Sequence, residues 1–341
     1  MMIRKCFCAF ALAVAALAAS PASAQDAAAF FKGKTLTFIT PGSPGGGYDT
    51  YMRSIIPHLE KKTGVTVVPV NDGGGGHRLA VNKTYSAKPD GLTILLADGE
   101  ATLVGQLLNV PGSRYDLLKM NWLGRANGEK RLILFTKKSP YKSIKEAKAG
   151  SKPFKVGAVG KTDSVALAST LAAHALGLNI KMVIGYKGSR EFVRAAIQGE
   201  VDAIALSESS SKRFSKGGRL LPQLTLARER SELFPKIPTA FEEFKLDKEA
   251  AFWLDFNSAF AEVGRAIVTT PKVPADRLAY RRKVFAEILT DKSFQAEMAK
   301  KRRPISYADH KALEKSVNTV LGALDDKRKK QVRHIILEKY Y

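Results

Sequence analysis

From residue 34 onward, apolar positions fall into short runs that end at glycines, and each run is followed by a segment with helical spacing. Residues 34–40 read as a strand with Leu36, Phe38 and Ile39 buried, leading into Pro41-Gly42-Ser43-Pro44-Gly45-Gly46-Gly47. Beyond that loop Met52, Ile55, Ile56 and Leu59 share one face of a helix. Asp49 stands where an N-cap belongs, and Pro57 predicts a kink. Residues 65–70 are the next strand and end at the glycines 73–76. Lys88-Pro89-Asp90-Gly91 is a turn, and residues 92–97 are a third strand that stops at Asp98-Gly99.

The alternation resumes after an irregular stretch around Trp122. Strands are expected at 132–136, 155–159, 182–185 and 201–206, with helices at 164–176 and 191–198. Residues 252–269 are apolar and strand-like, and from Ala275 the chain is mainly helical. Strands alternating with helices predict α/β architecture with parallel sheets covered on both faces, and two runs of the pattern predict two lobes. The expected division is 25–128 for lobe one and 129–250 for lobe two, with 251–341 returning to lobe one.

The beginning of the chain follows another pattern. Arg4 and Lys5 precede an apolar run at 7–19, and Ala22-Ser23-Ala24 supplies small residues for a signal peptidase. This predicts a leader at 1–24, cleavage after Ala24, a mature start at Gln25 and export to the periplasm. The apolar run is too short to span ~30 Å of hydrocarbon. Cys6 and Cys8, the only cysteines, leave with the leader, so no disulfide, thiolate nucleophile or cysteine metal site is expected.

The net charge of +23 falls to +21 without Arg4 and Lys5. Its distribution is diffuse, and export removes the protein from nucleic acid, so no nucleic-acid partner is expected. Residues 271–341 carry 18 basic and nine acidic side chains, with clusters at Lys300-Lys301-Arg302-Arg303 and Lys327-Arg328-Lys329-Lys330. Those clusters read as helix ends whose carbonyls cations complement, or as a face toward an anionic membrane surface or partner.

In open parallel sheets, ligands sit beyond the carboxyl ends of the strands. Here three such ends carry Gly45-Gly46-Gly47, the glycines 73–76 and Asp98-Gly99. Glycine lets backbone N–H groups converge on an anion, and a following helix start adds partial positive charge. Sharper chemistries fail. Gly157-Ala158-Val159-Gly160-Lys161-Thr162 has the wrong spacing for a nucleotide loop, because Lys155 occupies the first glycine position. The histidines at 58, 77, 174, 310 and 334 never reach metal-ligand spacing, and no nucleophile elbow occurs. His77 alone follows a glycine loop. No catalytic residue, metal or cofactor is expected.

The motifs together resemble the solute receptors of tripartite tricarboxylate transporters, the TctC or Bug receptors, over nearly the whole mature chain. Pro44-Gly45-Gly46-Gly47-Tyr48-Asp49 is similar to the family's first loop, and Asn71 with the glycines up to Gly76 takes the place of its second. Pro89-Asp90-Gly91, Tyr186-Lys187-Gly188-Ser189, Gly199-Glu200-Val201-Asp202, Phe234-Pro235-Lys236-Ile237-Pro238-Thr239 and Pro271 through Leu278 resemble further family segments in the family's order.

The resemblance implies a periplasmic-binding-protein fold: two α/β lobes, a two-strand hinge and a ligand cleft between the lobes. It implies capture of a small carboxylate, whether a di- or tricarboxylate, an aromatic acid or an acidic amino acid, for the membrane components of such a transporter. Carried over, lobe one contributes Ser43, Gly45, Gly46, Gly47, Tyr48, Asp49, Gly74, Gly75, Gly76, His77 and Asp98. Lobe two contributes Gly160, Lys161, Thr162, Ser164, Tyr186 and Lys187. The sequence departs from the pattern at Gly73, His77, Arg78 and Lys161. It departs again at Leu206, where an aspartate is missing and Glu208 follows two residues on. A sensor that docks on a histidine kinase is the alternative function, and a secreted enzyme the remote one.

Overall fold

The computed structural model describes residues 21–341, so the expected leader's cationic start and apolar run lie outside the described residues. Two five-stranded sheets organise the chain. The first contains β1 (Thr35–Thr40), β2 (Thr66–Asn71), β3 (Thr93–Asp98), β4 (Asn121–Asn127) and β10 (Arg265–Thr269). The second contains β5 (Arg131–Thr136), β6 (Phe154–Gly157), β7 (Ile180–Val183), β8 (Ala203–Ser207) and β9 (Leu220–Thr225). Their orders, β2-β1-β3-β10-β4 and β7-β6-β8-β5-β9, follow one plan.

In each sheet three strands run parallel, as β-helix-β units require, and the fourth runs antiparallel to both of its neighbours. The expectation of purely parallel sheets is corrected here. The antiparallel member, β10 or β5, enters its sheet directly from the other lobe. No crossover helix constrains its direction.

These entries form the hinge. The chain leaves lobe one through residues 128–130 between β4 and β5 and returns through residues 262–264 ahead of β10. The two crossings lie side by side: Arg265 pairs with Asn127 across the sheet. Gly264, at φ +47°, comes so close that a Cβ there would stand 2.3 Å from the Asn127 carbonyl oxygen. Only glycine fits.

Helices flank both sheets. Lobe one carries α1 (Pro21–Phe31), α2 (Gly47–Thr63), α3 (Arg78–Tyr85) and α4 (Gly99–Leu107). The chain next supplies α5 (Ile144–Ala149), α6 (Ser164–Leu176), α7 (Ser189–Gln198), α8 (Glu208–Phe214), α9 (Ala240–Glu243) and α10 (Lys248–Ala261). Last come α11 (Ala275–Thr290), α12 (Lys292–Lys300), α13 (His310–Gly322) and α14 (Asp326–Leu337). The first two of these pack together, α13 lies on β4 and α4, and α14 reaches back onto α6. Among the described residues, no helix is long and apolar enough to cross a membrane.

Three segments differ from the sequence expectation. Residues 252–261, expected as strand, belong to α10, with Asp247 accepting from the Ala250 N–H as its N-cap. This helix packs on α6, α4 and α13, so its apolar residues surround it instead of forming one stripe. The irregular stretch around Trp122 contains edge strand β4, whose pairing with β10 is twice shifted. Edge strand β9 hides behind Pro222, which sits where its register to β5 slips. Around Pro57, α2 continues from Gly47 to Thr63.

The apolar core does not stop at the lobe boundary. Leu103 and Val104 of α4 belong to one buried cluster with Leu167 and Leu171 of α6 and with Trp253 and Phe256 of α10. Thus α4 of lobe one rests directly on α6 of lobe two, and that contact brings the ends of β3 and β6 opposite each other across the cleft.

Candidate functional site

The cleft contains two adjoining spaces that share Gly42 and Val159. The inner one is a chamber of about 40 Å³; the outer one is a vestibule of about 590 Å³. Three helices start at the chamber wall: α2 at Gly46, Gly47 and Tyr48, α6 at Ser164 and Val165, and α7 at Gly188 and Ser189. The starts of α2 and α7 have no side-chain cap, so their first N–H groups and the positive ends of their dipoles favour negative charge, whereas at α6 Asp163 and Asp98 already accept from Ser164, Val165 and Ala166.

Two arginines reinforce that field. Arg131 begins β5 and Arg265 begins β10, so both stand on the hinge strands, and both line the chamber. Arg131 forms an ion pair with Glu100, and Arg265 with Glu129. Arg265 also donates to Ser207 Oγ at 3.2 Å and lies over the rings of Tyr48 and Tyr51. All four charged residues are buried. In each arginine, however, the buried Nε has no hydrogen-bond partner among the described residues.

His77 completes the wall. It has φ +76°, unusual for a residue with a side chain, and its Nδ1 lies 2.9 Å from Asp98 Oδ2. Burial disfavours a charged imidazole, but the Asp98 hydrogen bond and charge outweigh it and raise the His77 pKa. Burial would likewise raise Asp98, yet His77 and Arg131 hold it well below the usual carboxylate range. Asp98 also accepts from the Ala101 N–H as the cap of α4 and from the Ser164 N–H across the cleft. Burial pushes Glu100 up to about 7 despite Arg131 beside it, whereas Arg131 holds its own proton more firmly because of Glu100. A proton entering that pair therefore goes to Glu100.

The lobes touch across the cleft. Arg78 donates from Nη1 to Thr162 Oγ1 at 2.8 Å, Arg213 donates to the Gly45 carbonyl at 3.1 Å, and Arg303 donates to Ser209 and Ser210 Oγ. Glycines permit this approach. A Cβ on Gly76 would lie 2.7 Å from Thr162 Oγ1, and one on Gly188 would lie 2.4 Å from Ser43 Oγ. The cleft is closed.

The expected site residues separate into groups. Gly46, Gly47, Tyr48, His77 and Ser164 line the chamber. Ser43, Gly74, Gly75, Gly76, Tyr186 and Lys187 line the vestibule, where the Tyr186 hydroxyl donates to Glu200. Gly45, Gly160 and Thr162 belong to the lobe-to-lobe contacts.

Three others stand elsewhere. Asp49 is inside the first turn of α2, not its N-cap, and braces the loop by accepting from the Gly45 N–H and Arg53. Lys161 turns away to the Leu337 carbonyl and the Tyr341 ring. Glu208 accepts from Ser231 and faces a separate space behind the hinge. The serines near it, Ser207 and Ser210, are the ones at the chamber.

The sequence reading therefore missed both arginines and these serines. The signal was present but slight: a lone arginine at the first position of an otherwise apolar strand, Arg131 before Leu132-Ile133-Leu134-Phe135 and Arg265 before Ala266-Ile267-Val268.

A family model described as "Tripartite tricarboxylate transporter family receptor" matches residues 51–315. The chain belongs to the TctC receptor family. Among its relatives, a UPF0065 protein of Bordetella pertussis is 27% identical over 283 residues, spanning 81% of this chain and 85% of that one. A UPF0065 protein of Agrobacterium vitis is 25% identical, spanning 68% and 67%. Among solved structures, the periplasmic binding protein BugD superposes with a TM-score of 0.73 at 20% identity, covering 89% of this chain and 97% of its own. MatC of Rhodopseudomonas palustris with bound malate gives 0.71 at 18% identity, covering 88% and 98%. A further R. palustris protein with adipate gives 0.72 at 18%, covering 89% and 97%. The TctC receptor thus has the two-lobed periplasmic-binding-protein fold, and its family is one of solute receptors, not of enzymes.

Proposed function

We propose that this TctC receptor captures a small carboxylate in the closed cleft and delivers it to the membrane components of a tripartite tricarboxylate-type transporter. The observation that carries the reading is the inner chamber, where three helix starts, two arginines and His77 surround one space between the lobes, with Asp163, the cap of α6, also in its lining. An anion gains from the uncapped starts of α2 and α7 and from the arginines, and none of these groups is arranged as a nucleophile with its base. The malate and adipate held by the two R. palustris structures are both carboxylates, which supports the same ligand class here.

In this reading the protein works in the periplasm after cleavage behind Ala24. The solute enters an open cleft, and contacts made only in the closed state, including Arg78 to Thr162, shift the equilibrium toward closure. The test is a thermal-shift screen of mono-, di- and tricarboxylates. A ligand at 100 times its Kd stabilises by ~2.7 kcal/mol, a readily measured rise in Tm. A protein that responds to no carboxylate would overturn the proposal.

A further inference from the structure

Four features of the cleft bear on which acids fit. First, the chamber's cations are already matched: Arg131 by Glu100, Arg265 by Glu129 and His77 by Asp98. What the arginines still offer is donors, the two buried Nε–H groups with no acceptor among the described residues. Leaving such donors unsatisfied is costly, so they call for an acceptor group from outside the protein.

Second, the chamber is small. About 40 Å³ is the space of roughly one to three waters, enough for the three heavy atoms of a carboxylate and too little for a branched acid. Third, the vestibule that continues from it is many times larger, about 590 Å³. Fourth, the vestibule wall is mostly glycine backbone with Pro44, Val159 and Tyr186. Exposed Leu79 lies against Gly74 and Gly75 of that wall. Among the described residues, Lys187 is the only cationic side chain lining it.

We propose that the chamber takes a single terminal carboxylate between Arg131 and Arg265, with the rest of a straight-chain acid lying in the vestibule. This rests on the carboxylate-receptor reading and narrows it. A linear acid with one carboxylate at the leading end fits whether its far end is a methyl or a second carboxylate near Lys187. An acid that crowds three carboxylates around a branched carbon does not fit, because one group in the chamber leaves two others at its mouth, where the vestibule offers the single cation Lys187 and otherwise glycine backbone and apolar side chains. The arginines stand one on each crossing strand and both line the chamber, so the hinge sets where each meets the carboxylate.

Titration calorimetry of the full exported protein with butyrate, hexanoate, octanoate, adipate and citrate tests this directly. The wild type should bind the straight-chain acids, with citrate at least tenfold weaker. Arg131→Lys and Arg265→Lys keep a positive charge beside Glu100 and Glu129 but remove the Nε donor, so each should raise the Kd for hexanoate and adipate at least tenfold. Circular dichroism monitors folding, and the acid series on the wild type stands without any variant. Citrate binding as tightly as hexanoate and adipate would overturn the proposal. So would wild-type affinity in both folded lysine variants, and either result leaves the carboxylate receptor standing. A wild type that binds none of the acids, and no other carboxylate, would overturn both.

Discussion

Thr162→Val tests lobe closure with little disturbance to either lobe. The Thr162 side chain is fully buried, and both of its hydroxyl partners lie on the other lobe: Arg78 Nη1 at 2.8 Å and the Gly76 carbonyl at 3.4 Å. Valine has the same shape, so lobe two loses no internal hydrogen bond and no packing volume. What disappears is one charge-assisted hydrogen bond and one long bond to the Gly76 carbonyl, both joining the two lobes across the shut cleft. Such bonds contribute about 1.5–3 kcal/mol, and Arg78, half-buried at the rim, recovers part of that by turning to water in the open state. If closure is required for tight binding, the loss appears as a weaker apparent affinity, by a factor of about 10 to about 100. The assay is titration calorimetry with whichever acid gives the largest thermal shift. Urea denaturation of the ligand-free protein checks that intrinsic stability is preserved. X-ray scattering should show a larger radius of gyration for the variant at subsaturating ligand. A folded variant whose Kd stays within about twofold of wild type would refute the view that this contact helps hold the cleft shut.

Other predictions concern charge. Arg281 is fully buried with its three guanidinium nitrogens unpartnered among the described residues, and burial lowers its pKa to about 9. Its stacking 3.8 Å above the Phe31 ring offsets only part of that cost, so Arg281→Met should stabilise the fold by about 1–3 kcal/mol in urea titrations. A destabilised variant would show that the charge has a partner. Glu100, with its pKa raised to about 7 in the folded state, contributes stability that is present below about pH 4.5 and lost as pH rises through about 7. Glu100→Gln should therefore gain on wild type from pH 5 to pH 8, by up to about 3 kcal/mol, and a constant difference in Tm over that range would count against it. Replacing Lys327, Lys329 and Lys330 by glutamine should leave ligand affinity within about threefold, since α14 supplies no residue to the chamber or the vestibule; a tenfold loss, ~1.4 kcal/mol, would refute this. Arg328 is kept because it holds Glu249 and covers Phe252 and Trp253. N-terminal sequencing of the exported protein should begin at Gln25, and retention of Met1 would exclude cleavage after Ala24.

Much of the scaffold was legible because the signals were local. Strands β1 to β3 and β5 to β8 announce themselves as short apolar runs closed by glycine or turn residues. Helix α6 was expected at 164–176, the span it occupies as Ser164–Leu176. The errors came where tertiary packing overrides the local pattern. Helix α10 is wrapped by α4, α6 and α13, so burial on several sides erased its period. Strands β4 and β9 lie at sheet edges, where shifted pairing, Gly124 and Pro222 broke the alternation. The direction of β5 and β10 depends on entry from the opposite lobe, which no window of residues records.

The site divides along the same line, and the division explains why the ligand's charge partners went unseen. Glycine loops are contiguous in sequence, so the loops around Gly46 and Gly75 could be found by inspection. A charge pair such as Arg131 with Glu100, or Arg265 with Glu129, joins residues far apart in the chain, and each arginine alone looks like the polar edge of an apolar strand. The glycines also took on a second meaning in three dimensions. Gly76 and Gly188 permit contact between lobes as well as approach to a solute, since a Cβ on either would collide with Thr162 or Ser43. Closing the cleft thus demands small residues at the rim, while anchoring the solute demands donors at the hinge, where the two crossing strands place an arginine each. Rim and hinge respond to different perturbations. A change at Thr162, which lines neither space, should act on the closure equilibrium and affect all acids alike, whereas a change at Arg131 or Arg265 should act on the bound group and discriminate among them.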